Sequence, residues 1–142
     1  MSGPALTADA STFTGRKLDW LKSVAYDRRL LPYDFEVAFV IAQHINQKTW
    51  KAMLSDDAIA DETGGGSTRN VLRARKRLRG VGWLNWHRTR TANVYRLLFD
   101  GVDRTLDMIT ASRDARRERH QRYKAMTPES HLDEADMTPR SL

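Results

Sequence analysis

Apolar positions along this chain recur first at helical spacing, then alternate at period two, then return to helical spacing. Leu18, Leu21 and Ala25 sit three and four residues apart, and Trp20 and Val24 widen their stripe, which predicts a first helix from near Gly15. Pro32 interrupts it, because proline disfavours a helical residue before it. Asp34 is then placed to cap a second helix containing Phe35, Val37, Ala38, Phe39, Val40, Ile41, Ala42 and Ile45. That helix is apolar on nearly every side, as expected of an element central to a core or shared with a second subunit.

Ser55 is an N-cap type residue ahead of a short helix through Glu62, with Asp56 and Asp57 opposing the positive end of its dipole and Ile59 and Ala60 as its buried face. Gly64-Gly65-Gly66 breaks the chain. Ser67 then caps a longer helix with the core stripe Val71, Ala74 and Leu78, ending in Gly80-Val81-Gly82. Two runs, Trp83 to Arg88 and Asn93 to Leu98, alternate around the polar link Thr89-Arg90-Thr91-Ala92 and predict a β-hairpin. Helical spacing returns from Val102 to Met126, where Leu106, Ile109, Tyr123 and Met126 are sparse around the charged stretch RDARRERHQRYK, the pattern of a solvated helix.

The expected architecture is mainly α with a small antiparallel β-hairpin. A disordered arm over 1–14 precedes one domain over 15–100, a C-terminal helix over 101–126 and a disordered acidic tail over 127–142, which has two prolines and few large apolar residues. No window approaches the roughly 18 apolar residues of a membrane span, and the start lacks the layout of a secretory signal, so a cytoplasmic protein is expected. With no cysteine, disulfides, thiolate zinc sites and cysteine nucleophiles are excluded.

Charge localises the chemistry. The net charge of +6 suggests a polyanionic partner, nucleic acid or an acidic membrane surface, and the region from Thr63 to Phe99 holds nine basic residues and no acid, leaving the rest of the chain at a net −3. On a 100° wheel Arg69, Arg73 and Lys76 fall opposite the Val71, Ala74 and Leu78 stripe, with Asn70 and Arg77 on the flank. Arginine can bind guanine and asparagine adenine bidentately, so Arg69, Asn70 and Arg73 are the expected base readers. Ser67, Thr68 and the first-turn amides suit phosphate, while Lys76 and Arg77 would track the backbone and Arg88 and Arg90 would reach a phosphate or an adjacent minor groove, with His87 assisting.

Helix, glycine turn, basic helix, glycine and hairpin is the element order of a winged helix-turn-helix. The stretch LSDDAIADETGGGSTRNVLRARKRLRGVGWLNWHRTRTANVYRL, about a third of the chain, resembles the winged-helix domains of GntR-like and MarR-like bacterial regulators and equally those of phage and plasmid proteins, including replication initiators. The resemblance rests on the serine-capped helix, the Leu-x-x-x-Gly-Trp-Leu exit from Leu78 to Leu84 and the basic wing ending in Val-Tyr-Arg-Leu. Three successive glycines in the turn and the absence of a recognisable ligand-binding domain depart from the regulators. The resemblance implies a winged helix-turn-helix with extra N-terminal and C-terminal helices that binds double-stranded DNA, most simply as a transcriptional regulator, or alternatively in phage or plasmid replication initiation or another DNA transaction. A homodimer is expected because one small module buries little DNA surface.

Other readings of the polar residues compete with these. Trp83 and Trp86 could stack on bases, but strand alternation sets Trp86 beside Leu84 and favours core packing. His44 reads as a hydrogen-bonded core or interface residue, and His87, His120 and His131 lack ligand spacing. Asp56, Asp57, Asp61 and Glu62 read as helix-capping and turn residues rather than a metal-dependent nuclease cluster. No lysine follows the glycines in the manner of a P-loop. No metal, cofactor, small-molecule ligand or catalytic activity is expected.

Overall fold

The structure, a computed structural model, describes residues 10–64 and 66–126. Its elements are α1 (Ala10–Tyr26), α2 (Pro32–Gln43), β1 (Lys51–Leu54), α3 (Asp56–Glu62), α4 (Thr68–Gly80), β2 (Leu84–Arg88), β3 (Asn93–Leu97) and α5 (Val102–Met126). The chain is mainly helical with one small antiparallel sheet of strand order β1-β3-β2. It forms two units, residues 1–106 and 107–142. The tail over 127–142 and the first nine residues of the arm lie outside the described residues.

Helix α1 corrects the expected start of order, beginning at Ala10 rather than near Gly15. The reason is Phe13, which is buried and meets the Trp50 ring edge-on at 4.7 Å. The buried stripe is also rotated from the expected one. Leu18 is 59% exposed and Ala25 is exposed, whereas Phe13, Trp20 and Val24 face the core. A tryptophan buries more apolar area than a leucine, and its N–H must also find an acceptor. Trp20 does both, donating from Nε1 to the carbonyls of Trp83 (2.9 Å) and Leu98 (3.1 Å) and so tying α1 to the open end of the hairpin.

Helix α2 starts at Pro32, where a missing N–H costs nothing. Asp34 is therefore its third residue rather than its N-cap, and its carboxylate reaches back to accept the Leu31 N–H at 2.8 Å. Val37, Ala38, Val40, Ile41 and Ala42 are buried, so the helix is central to the core, packed against α1 and α4. Phe39 is its large exposed apolar residue. His44 is hydrogen-bonded as expected but not in the core: it lies just beyond the helix, exposed, with Nε2 against the Glu62 carboxylate at 2.9 Å.

The expected hairpin is present as β2 and β3, and β1 adds a third strand on the far side of β3. Four residues, Lys-Ala-Met-Leu, carry too short an alternation to be distinguished from a helix end by pattern alone. Pairing decides it: Ala52 stands opposite Tyr95 and Leu54 opposite Asn93, while Trp86 and Leu84 stand opposite Tyr95 and Leu97 from the other side. In the second unit the described residues continue α5 from Asp107, with all side chains exposed except the half-buried Ile109.

Candidate nucleic-acid interface

Helix α4 is built as its sequence implies. The Ser67 hydroxyl accepts the Asn70 N–H at 3.2 Å, and Val71, Ala74 and Leu78 are fully buried. Gly82, at φ +90°, turns the chain after the helix into β2. Just before the helix, a side chain at Gly66 would collide with the Tyr33 hydroxyl, which is hydrogen-bonded to Thr63 Oγ1 at 2.8 Å. A larger residue there requires the Tyr33 ring and the Thr63 hydroxyl to shift.

Two carboxylates fix this helix against the body of the domain. Asp34, fully buried, binds Arg77 bidentately, with Nε and Nη2 both at 2.8 Å. Asp56, at the first turn of α3, binds Arg75 in the same fashion, at 3.1 Å from Nε and 2.9 Å from Nη2. Arg75 is almost completely buried and lies 4.7 Å from the Trp86 ring centroid, and Arg79 stacks over that ring at 3.4 Å. Trp86 is thus half-buried between the sheet and two guanidinium groups.

What remains on the outer surface of α4 is Thr68, Arg69, Asn70, Arg73 and Lys76, all exposed. Arg69, Arg73 and Lys76 follow one another by four and three residues and therefore share a face. Ser67 is exposed at the cap, Arg88 at the end of β2 and Arg90 in the β2–β3 turn. Among the described residues none of Arg69, Arg73, Lys76, Arg88 and Arg90 lies within ion-pair distance of an acid. A cleft of about 280 Å³ joins the two parts, lined by Thr68 of α4, by Arg88 and Arg90 on the turn side and by two acids of α3, Asp56 and Asp57. No protein-family model, curated protein or solved structure matches the chain.

The structure brings eight of the nine expected site residues to the surface, from Ser67 to Lys76 on α4 and Arg88 and Arg90 on the hairpin, and commits the ninth, Arg77, to Asp34. Asp56 does more than cap, since it neutralises Arg75, and Glu62 holds His44. Sequence reasoning missed Arg75 as an internal residue, although a signal existed. Arg75 is four residues from Val71 and three from Leu78, so it belongs to the buried stripe and requires an acidic partner. Arg77 gave no such signal, because its partner is 43 residues away.

Proposed function

We propose that this protein binds double-stranded DNA sequence-specifically through α4 and the β2–β3 turn, as a winged helix-turn-helix. The observation that carries the reading is the exposed face Arg69, Asn70, Arg73 and Lys76. It is free of acids, while Arg75 and Arg77 on the same helix are neutralised from within the fold and Arg79 stacks on Trp86. A surface whose charges were merely solubilising gains nothing from this separation, whereas a groove-reading helix needs its inner arginines held and its outer ones free. The order α2-β1-α3-α4-β2-β3 supports the same reading, since it sets two consecutive helices before a basic hairpin. A major groove admits one α-helix, and α4 is about 20 Å long.

In this arrangement Arg69, Asn70 and Arg73 read base edges, Ser67, Thr68 and the first-turn amides hold a phosphate, and Lys76, Arg88 and Arg90 contact the backbone. Two copies on paired half-sites would enlarge the small footprint of one module, and occupation of such a site suffices for transcriptional regulation. Selection of bound fragments from the source genome tests the role: promoter-proximal sites support regulation, and iterated origin repeats transfer the same site to replication initiation. At the residue level Arg73→Ala costs about 1–3 kcal/mol and relaxes base preference, whereas Arg90→Ala weakens all sequences alike and lowers the salt slope by about one unit. A site selection on each variant, with affinity measured across salt, checks both. Unchanged preference in Arg73→Ala removes it from the base readers.

A further inference from the structure

A second group of cations, on β1, β3 and α1, surrounds an aromatic ring rather than a helix face. Trp50 has φ 59°, and it alone among the described non-glycine residues takes a positive value. Bulky side chains rarely occupy that region, and such backbone outliers cluster at ligand clamps. Its surroundings hold it there: the Trp50 N–H donates to the Asn46 carbonyl at 2.7 Å, and its ring meets Phe13 at 4.7 Å and Phe99 at 5.6 Å, both edge-on. The indole N–H donates to no described residue.

A cleft of about 490 Å³ opens beside this ring, lined by Arg16, Lys51, Arg96 and Phe99 and, among the described residues, by no acid. Lys51 and Arg96 stand directly opposite one another in the β1–β3 register. Like charges in that relation destabilise a sheet, and no acid among the described residues lies within ion-pair distance of either, or of Arg16. Arg16 lies 4.6 Å from the centroid of the Phe99 ring. Three cations without an acidic partner among the described residues, beside an indole with a spare donor on a strained backbone, form a site that a negative, ring-bearing molecule would complete.

We infer that this cleft binds a small aromatic anion, its ring against Trp50 and Phe99 and its carboxylate or phosphate between Lys51, Arg96 and Arg16. The volume suits one or two fused rings. A DNA backbone would use the cations and leave the aromatic wall without a role. The cleft also shares no lining residue with the one between α4 and the hairpin turn, and Arg96 lies three residues along β3 from Asn93, about 10 Å from the turn end of the hairpin. The inference therefore stands apart from the DNA-binding reading.

Calorimetric titration of the full chain with 2-naphthoate, adenosine monophosphate, cyclohexanecarboxylate and inorganic phosphate tests it. One or both aromatic anions should saturate one site per chain, at least tenfold more tightly than the two non-aromatic ones, and the better of the pair distinguishes a carboxylate from a nucleotide source. Lys51→Gln and Arg96→Gln should each weaken that binding at least fivefold, while the unfolding temperature stays level or rises as the like-charge contact is removed. Equal affinity for phosphate or cyclohexanecarboxylate, no saturation by either aromatic anion, or unchanged binding in both variants would overturn the inference. So would loss of DNA affinity in the variants with aromatic binding intact, which would assign these cations to the nucleic acid.

Discussion

Asp34 and Tyr95 are both buried polar residues, and the fold treats them oppositely. Asp34 has three donors around its carboxylate, the Leu31 N–H and two nitrogens of Arg77. Removing one partner of such a pair leaves the other inadequately solvated, so Asp34→Ala should lower unfolding free energy by about 3–5 kcal/mol, nearer the lower end because Arg77 keeps partial access to water. Urea denaturation measures it, and a loss under about 1 kcal/mol would show that the pair is not a main tie between α2 and α4. The Tyr95 hydroxyl, by contrast, is buried with no well-formed hydrogen bond among the described residues, the Asn93 side chain being only a weak polar neighbour. Burial pushes its pKa up from 10.0 to about 12, against the opposing field of Arg75. A raised pKa means that the neutral form is favoured by folding, so this contribution is complete below pH 10 and is lost as pH rises through 12. Tyr95→Phe should be neutral or stabilising by up to about 1 kcal/mol near pH 7 and should remove that part of the alkaline slope. Denaturation midpoints across pH 8–12 check both the sign and the window.

Among the elements, α4 depends on its ends and on its inner face. Ser67→Ala removes the acceptor for the Asn70 N–H and should cost about 1 kcal/mol of stability. Asn70 and Arg69 sit in the turn that the cap orders, so DNA affinity should fall as well; thermal unfolding and DNA titration on one sample separate the two effects. The pattern of this helix was legible from its sequence: cap, buried stripe, exit and exposed arginines all follow from spacing between Ser67 and Gly82. The partners of Arg75 and Arg77 were not, because a helical wheel tells which way a side chain points and not what stands there. Strand β1 was illegible for a related reason, since four residues acquire a strand's identity only from the β3 positions they pair with.

For the whole molecule, the boundary between the units falls after Leu106, a few residues into α5, and Val102 is completely buried. Deleting residues 127–142, whose sequence offers few large apolar side chains, should leave the unfolding midpoint and DNA affinity nearly unchanged at physiological salt. Deleting from residue 102 onward should destabilise the first unit, because it exposes the pocket that Val102 fills, at a cost of roughly 1.5–3 kcal/mol. Thermal unfolding of the two truncations decides this, and equal midpoints would show that Val102 contributes little to the core.

The sequence by itself determined which stretches coil, where α3 and α4 are capped, where the hairpin turns, and that one acid-free segment carries the positive charge. Each of these is local, set by backbone sterics, side-chain spacing and hydrogen bonds within a turn or two. Tertiary structure alone decided that Trp20, not Leu18, would face inward, that Asp34 and Asp56 would claim Arg77 and Arg75, and that Arg16, Lys51 and Arg96 would meet beside Trp50. Those outcomes depend on which distant groups compete for the same buried space and the same charge, and that competition is settled only when the elements pack.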